Sequence, residues 1–578
     1  MTGTPRSRVL LRVLPRRAVM LLVAGFAGLL GVATCAPAGA SADAAPIAGA
    51  AAAADVASVE QAYADAVDAA GVLTAIDSGL FESYEGKRRA EWEKRYRAAR
   101  STLVSGLASG AGGVGSRSAR DAHALRTMRG ALSSTLPENP SSSAGNLPPS
   151  SGKCATAART DLDAAALGAA LYACFDELGN HIRFEGRSIP RDSALAMLSQ
   201  IAAPERRKAL FLGFEPLWRA VNGNDEGDSP YRRRLKLAAA KAAHGGSRVE
   251  IAARALGQDA AAVETWLTQV LEAWRRTLPD RPVEPWDYRY EGGGADRLMA
   301  EAASTAALLP ANRRFYRDLG ADLDALGVRF DIQPRPGKSP ISYTSYVTMG
   351  RLIDGRWRPT IPRVSASFGE SGLYVMNMLV HEDGHAAHYG AIRNRPAFMD
   401  IGADDLFCES FADVTSWSVY DSAWQRKYLG RAAPEQAGLR SRYTMVTLEV
   451  TWALFEARML RHPEADPNAV WTDITSRYLN IVPHPELSWW AQRVQLVTSP
   501  GFMINYGLGA VLTAEMRARI AAGIGPFDAG NTRWYPWVTA HLLQQGAEID
   551  TRRLMQALLG RPVSPQALID DIRRLSTP

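Results

Sequence analysis

The stretch from Met376 to Gly390 reads Met-Asn-Met-Leu-Val-His-Glu-Asp-Gly-His-Ala-Ala-His-Tyr-Gly, and its spacing names a chemistry. On a helix, His381 and His385 lie four residues apart, so both imidazoles leave one face a turn apart and can share one metal ion, with Glu382 leaning over the same place. Two imidazoles and an adjacent carboxylate suit zinc-assisted hydrolysis, the metal activating water and the carboxylate taking its proton. A buried helix with incidental histidines is the bland alternative. Only 9 His occur in 578 residues, however, and His381, His385 and His388 fall within one eight-residue span.

A catalytic zinc takes a third protein ligand and keeps one position open for water. The extended metzincin pattern fails, because His388 stands where it needs glycine and Ala391 where it needs histidine. A thermolysin-like glutamate would lie where this chain has Asp404 and Asp405, but aspartate is shorter and the pair reads as the start of a helix. The helical apolar run from Leu406 to Trp417 holds one glutamate, Glu409, whose ionised carboxylate is costly there unless paired or bound to metal. Glu409 is therefore the expected third ligand. Asp413, one turn later, is the expected acceptor for the free ring N–H of a ligating histidine.

His-Glu-x-Gly-His followed, 24 residues after its second histidine, by Glu409-Ser-Phe-Ala-Asp413 resembles the gluzincins of the thimet-oligopeptidase and oligoendopeptidase family and of the angiotensin-converting-enzyme family, the latter pattern more closely. The likeness covers about residues 342–519. It implies a mainly α, two-lobed helical peptidase with a deep channel and a small antiparallel sheet next to the motif helix, zinc as cofactor and short peptides as substrates. It further implies an edge strand that pairs with the substrate backbone, for which Arg363 to Ser367 is the candidate. The segment Pro500 to Ala510 resembles the families' tyrosine-bearing wall opposite the zinc, and Tyr506 carries that role over. Related enzymes also place a histidine upstream, about where this chain has Arg493 to Thr498; none is present, and His484 is the nearest. Two enzymatic outcomes stay open. Cutting inside short peptides is the first expectation, and a peptidyl-dipeptidase (dipeptidyl carboxypeptidase) would need a cation for the free C-terminal carboxylate, for which Arg493 is the candidate. A non-catalytic peptide-binding protein is the third reading, and the intact ligands with Glu382 argue against it.

The elements that must position these residues follow from the rest of the chain. The first 17 residues carry five arginines and no acid, then come an apolar run of 16 from Ala18 to Ala33 and small residues through Ala45. The expectation is an export signal over residues 1–42, too short to span a membrane, with a mature peptidase domain over 43–578 in a periplasmic, extracellular or cell-surface location. Arg16-Arg17 resembles a twin-arginine signal, and Cys35, after Val-Ala-Thr, weakly resembles a lipid-anchoring cysteine, the one expected route to a membrane. Removing the leader takes 66 basic residues against 60 acidic ones to 61 against 60, so the basic balance does not point to nucleic acid, and a monomer is expected. Cys154 and Cys174 could pair in an oxidising compartment, whereas Cys408 reads as a buried thiol.

From Asp55 to about Ser109 the pattern is helical, with charges around sparse apolar positions, and solvated lid-like helices are expected. Gly110 to Ser116 and Ser133 to Gly152 read as surface loops. Arg206-Arg207-Lys208 and Arg232-Arg233-Arg234 read as wet helix faces. Between Tyr343 and Ser367, β-branched and aromatic residues surround Asp354-Gly355, a good hairpin turn, so a small antiparallel sheet should precede the motif helix.

Overall fold

Apolar residues recurring every three or four positions build helices over most of the chain, and the strands are few and short. The computed structural model describes residues 55–576 except 78–86, 110–117, 135, 137–152, 224–228, 243–245, 336–337, 339–340 and 401–403. The expected leader, Cys35 and the expected loop Gly110 to Ser116 lie outside the described residues. Among the described residues no helix is long and apolar enough to cross a membrane.

Two hydrophobic cores organise the helices. The larger runs from Ala157 to Ile572; the smaller is built from α1 (Val56–Asp77), α2 (Lys87–Ser109) and α3 (Ala119–Ser134). Helix α4 (Leu373–Ala391), which carries the His-Glu-x-x-His motif, feeds both: Leu379, Val380, Ala386 and Ala387 enter the larger core, and Tyr389 enters the smaller. The expected solvated face is present on α2, whose Arg95–Glu91 pair is exposed, whereas α1 is largely buried. Tyr63, Ala64, Ala66 and Leu73 are buried there, because the Ala- and Val-rich sequence of α1 has an apolar face that packs on the neighbouring sheet.

Helix α5 (Asp405–Ser416) starts where the two aspartates suggested, with Asp404 Oδ1 accepting the Phe407 N–H at 3.0 Å. It packs against α4 at Gly384. A methyl group there would stand 2.7 Å from Ala412 Cα and 2.9 Å from Ala412 O, so only glycine lets the two backbones approach this closely. Helices α6 (Glu435–Arg461) and α7 (Met503–Ile524) complete the wall opposite. The first turn of α7 is held by Glu456 of α6, which is 0% exposed and accepts from Gly501 N at 2.6 Å and Met503 N at 2.8 Å. Burial pushes its pKa up to about 8.

Before α4 run β1 (Arg329–Asp331), β2 (Tyr343–Thr348), β3 (Arg351–Ile353), β4 (Arg356–Arg358) and β5 (Ile361–Ser365). Strands β3 and β4 form the hairpin that turns at Asp354-Gly355. Strand β2 pairs antiparallel with β5, Thr344 opposite Val364. The short β1 adds to the far side of β5 in parallel, Phe330 also opposite Val364, giving the order β1-β5-β2. The expected substrate-pairing edge, Arg363 to Ser367, is therefore corrected. Its strand lies in the centre with both backbone edges used, Arg363 is 0% exposed, and the outer strands are β1 and β2, of which β2 lines the first cavity beside the motif helix.

Candidate metal centre

Helices α4 and α5 bring three ligand atoms to one point. His381 Nε2 lies 3.2 Å from His385 Nε2 and 3.3 Å from Glu409 Oε2, and His385 Nε2 lies 3.8 Å from the same oxygen. Bonds of about 2.0–2.1 Å to a tetrahedral zinc place ligand atoms about 3.3 Å apart, so the three residues fit that ion. The charges agree. Burial opposes protonation of His381, but Asp413 and Glu409 outweigh it and hold its pKa well above the ordinary value, the mark of a place that favours positive charge. Burial, then His381 and His388, push His385 well below its ordinary value, leaving a neutral ring.

The ring nitrogens facing away are both held by α5. His381 Nδ1 is 2.7 Å from Asp413 Oδ1, where the sequence placed that contact, and His385 Nδ1 is 3.2 Å from Cys408 Sγ. Ser416 Oγ donates to the same Asp413 oxygen at 2.8 Å. His388, the third histidine of the cluster, turns away from the centre and packs edge-on against Phe407 and Phe411, where burial pushes its pKa down to about 3.

Glu382 is buried beside the triad, and the Thr344 hydroxyl of β2 donates to its Oε2 at 2.7 Å. Burial pushes its pKa up to about 7, against His381 and the Thr344 hydrogen bond, which pull it down. Thr344 escaped the sequence reading because the contact joins a strand and a helix 38 residues apart.

Two cavities meet at His381, Glu382 and Tyr506. The first is lined by Tyr63, Val67 and Gly71 of α1, Tyr343 to Tyr346 of β2, Tyr389 and Glu409. Helix α1 rests on the C-terminal half of β2: a Cβ on Gly71 would lie 2.8 Å from Val347 O and 3.0 Å from Tyr346 O. The second cavity is lined by Arg191, Asp192, Tyr374, Arg442, Glu449 and Arg493. Together they form a channel that passes the metal-ligand cluster, with β2 lining its first part.

Tyr506 sits in the first turn of α7, at the junction of the two cavities, its ring 5.6 Å from Phe502 and 5.4 Å from the Arg493 guanidinium. Burial, reinforced by Glu409, raises its pKa well above the ordinary value, so its hydroxyl keeps its proton as a donor. Arg493 does line the channel, paired with Glu449. His484 does not. Its Nε2 is 2.8 Å from Glu284, its Nδ1 is 2.6 Å from Glu486, and its ring lies 5.4 Å from Trp286, so two carboxylates outside both cavities occupy it and the expectation of a second oxyanion donor there is corrected. Arg191, Asp192 and Glu449 carried no motif that could have marked them.

No protein-family model matches this chain, and no curated protein sequence does. Solved structures do. PZ peptidase A with an inhibitor superposes with a TM-score of 0.55 at 14% identity, over 90% of this chain and 97% of that one. The M32 carboxypeptidase from Deinococcus radiodurans R1 gives 0.50 at 13% identity, over 90% and 97%. BsuCP gives 0.50 at 12% identity, over 90% and 98%. The likeness is one of fold. It spans nearly the whole length of both partners, so the mainly helical frame is what this chain shares with these structures.

Proposed function

We propose that this protein is a zinc metallopeptidase that hydrolyses short peptides laid along the outer edge of β2. The observation that carries the reading is the triad: His381, His385 and Glu409 at separations of 3.2, 3.3 and 3.8 Å, with the Glu382 carboxyl buried at its side. The likeness of fold to a PZ peptidase and to an M32 carboxypeptidase supports it.

His381, His385 and Glu409 would hold the ion. When bound, zinc supplies Lewis acidity, lowering the pKa of water towards about 7 and polarising the scissile carbonyl. The outer edge of β2, beside the first cavity, would align an extended peptide across the cluster. Glu382, oriented by Thr344, takes the proton of the attacking water and delivers it to the leaving amine. The Tyr506 hydroxyl donates to the oxyanion of the tetrahedral intermediate, a contact typically worth about 3 kcal/mol.

A second reading rests on the arginines of the second cavity. Arg191, Arg442 and Arg493 could receive a free C-terminal carboxylate, which would make the enzyme a carboxypeptidase or dipeptidyl carboxypeptidase. We also propose export under the leader of residues 1–42, supported by the leader's composition, and action as a monomer. Digestion of a peptide library with purified mature protein, read by mass spectrometry, is the test. Internal cuts identify an oligopeptidase, and loss of C-terminal residues or dipeptides identifies the second reading. An absence of chelator-sensitive cuts would overturn both.

A further inference from the structure

Helix α5 supplies more than the third ligand. Glu409 is preceded by Cys408 and followed one turn later by Asp413, and these two residues meet the outward nitrogens of the two motif histidines. Both histidines turn Nε2 inward, 3.2 Å apart. A histidine that binds metal through Nε2 carries its proton on Nδ1, so each Nδ1–H needs an acceptor that fixes tautomer and ring plane. At His381 that acceptor is a carboxylate. At His385 it is a neutral thiol, a weak acceptor, on a side chain that is itself buried.

We propose that Cys408 is a positioning residue of the metal centre, its Sγ accepting the Nδ1–H of His385 and aiming Nε2 at the ion. The proposal rests on the zinc-peptidase reading. A cysteine that only fills space would be replaceable by alanine with no change in metal affinity. A positioning thiol is not, and serine, which keeps an acceptor at nearly the same place, restores it.

The test uses the full mature chain as wild type, Cys408→Ala and Cys408→Ser, with zinc(II) affinity from chelator competition and melting of the metal-free forms. We expect Cys408→Ala to weaken zinc binding roughly 10–100-fold, the usual cost of losing such a contact. Cys408→Ser should return to within a few-fold of wild type, and the three metal-free proteins should melt alike. Unchanged affinity in Cys408→Ala, or a serine variant as weak as alanine, overturns the proposal. A sulfur-to-cobalt charge-transfer band in the cobalt(II)-loaded wild type that vanishes in Cys408→Ser also overturns it, because the thiol would then be a ligand. If Cys408→Ala does not fold, long-range proton–nitrogen NMR of the zinc-loaded wild type decides: a His385 ring protonated on Nδ1 is expected, and one protonated on Nε2 refutes the geometry. Glu409→Ala serves as the control for the underlying reading. Full zinc occupancy in that variant would remove the triad itself, an outcome separable from a silent Cys408.

Discussion

Gly384→Ala tests how the metal-ligand cluster is held together, because it adds one methyl group at the seam between α4 and α5 and touches no ligand. The new Cβ would sit 2.7 Å from Ala412 Cα, whereas carbon atoms rest about 3.5–4.0 Å apart. The neighbour is backbone and cannot rotate away, so the helices must separate by about 1 Å to restore ordinary contact. Alanine gains about 1 kcal/mol of helix propensity over glycine, while overpacking costs about 1–3 kcal/mol, so the metal-free protein should lose at most about 2 kcal/mol. The larger effect falls on the ion. Glu409 now lies 3.3 Å from His381 Nε2 and 3.8 Å from His385 Nε2, and a further ångström takes it beyond the reach of a shared tetrahedral site. We expect zinc affinity to fall about 100-fold, which removes about 2.7 kcal/mol of zinc-induced stabilisation at fixed zinc. Melting with and without zinc, together with chelator competition, reads both quantities. A variant that melts higher than wild type and binds zinc equally well would refute the close-packed seam.

Tyr506→Phe should lower kcat about 100-fold with little change in KM, as expected for a contact made chiefly in the transition state; normal turnover with a lowered melting temperature would reassign the tyrosine to packing. Glu382→Gln should retain zinc and peptide binding while abolishing hydrolysis, checked by metal analysis and single-turnover assays, and substantial remaining turnover would mean that another group takes the proton. Cys154 and Cys174 are joined as a disulfide across a separation of 20 residues, and reducing it should cost about 3 kcal/mol by loop entropy, read as a shift in the denaturation midpoint.

What could be read from the chain was what depends on short spacing. His381, Glu382 and His385 are set by one helical turn, and Asp404 announced the start of α5 by its own capping chemistry. Glu409 was legible because an acid in an apolar helix needs a reason. Pairings between distant segments were not. Strand β1 is three residues long, too short to show a period, yet it moves β5 from edge to centre and leaves β2 as the outer strand beside the first cavity. His484 was reached by counting along the chain, although Glu486, two residues on, already offered it a partner. The arginine runs misled for a related reason. Arg207 is buried against Asp287 and donates to the carbonyls of Ile201 and Ala202, and Arg234 donates to those of Val497 and Thr498, roles that composition does not distinguish from a wet surface.

Helix α1 presents two faces to two tasks. Tyr63, Val67 and Gly71 line the channel, while Asp65 and Asp68, on the other side of the same helix, pair with Arg351 and Arg358. Asp68 also accepts the Met349 N–H at 2.6 Å, so the bolt that fastens α1 is tied to backbone as well as to charge. Removing one partner of a buried pair such as Asp68–Arg351 costs about 3–5 kcal/mol, whereas the half-exposed Asp65 contributes little and resizing an apolar wall residue usually costs less. For anyone wishing to retune this protein by directed evolution, the helix therefore comes already divided. Libraries at 63 and 67 can vary the size of the channel wall, and libraries that stray to 68 will mostly return proteins whose wall has come loose.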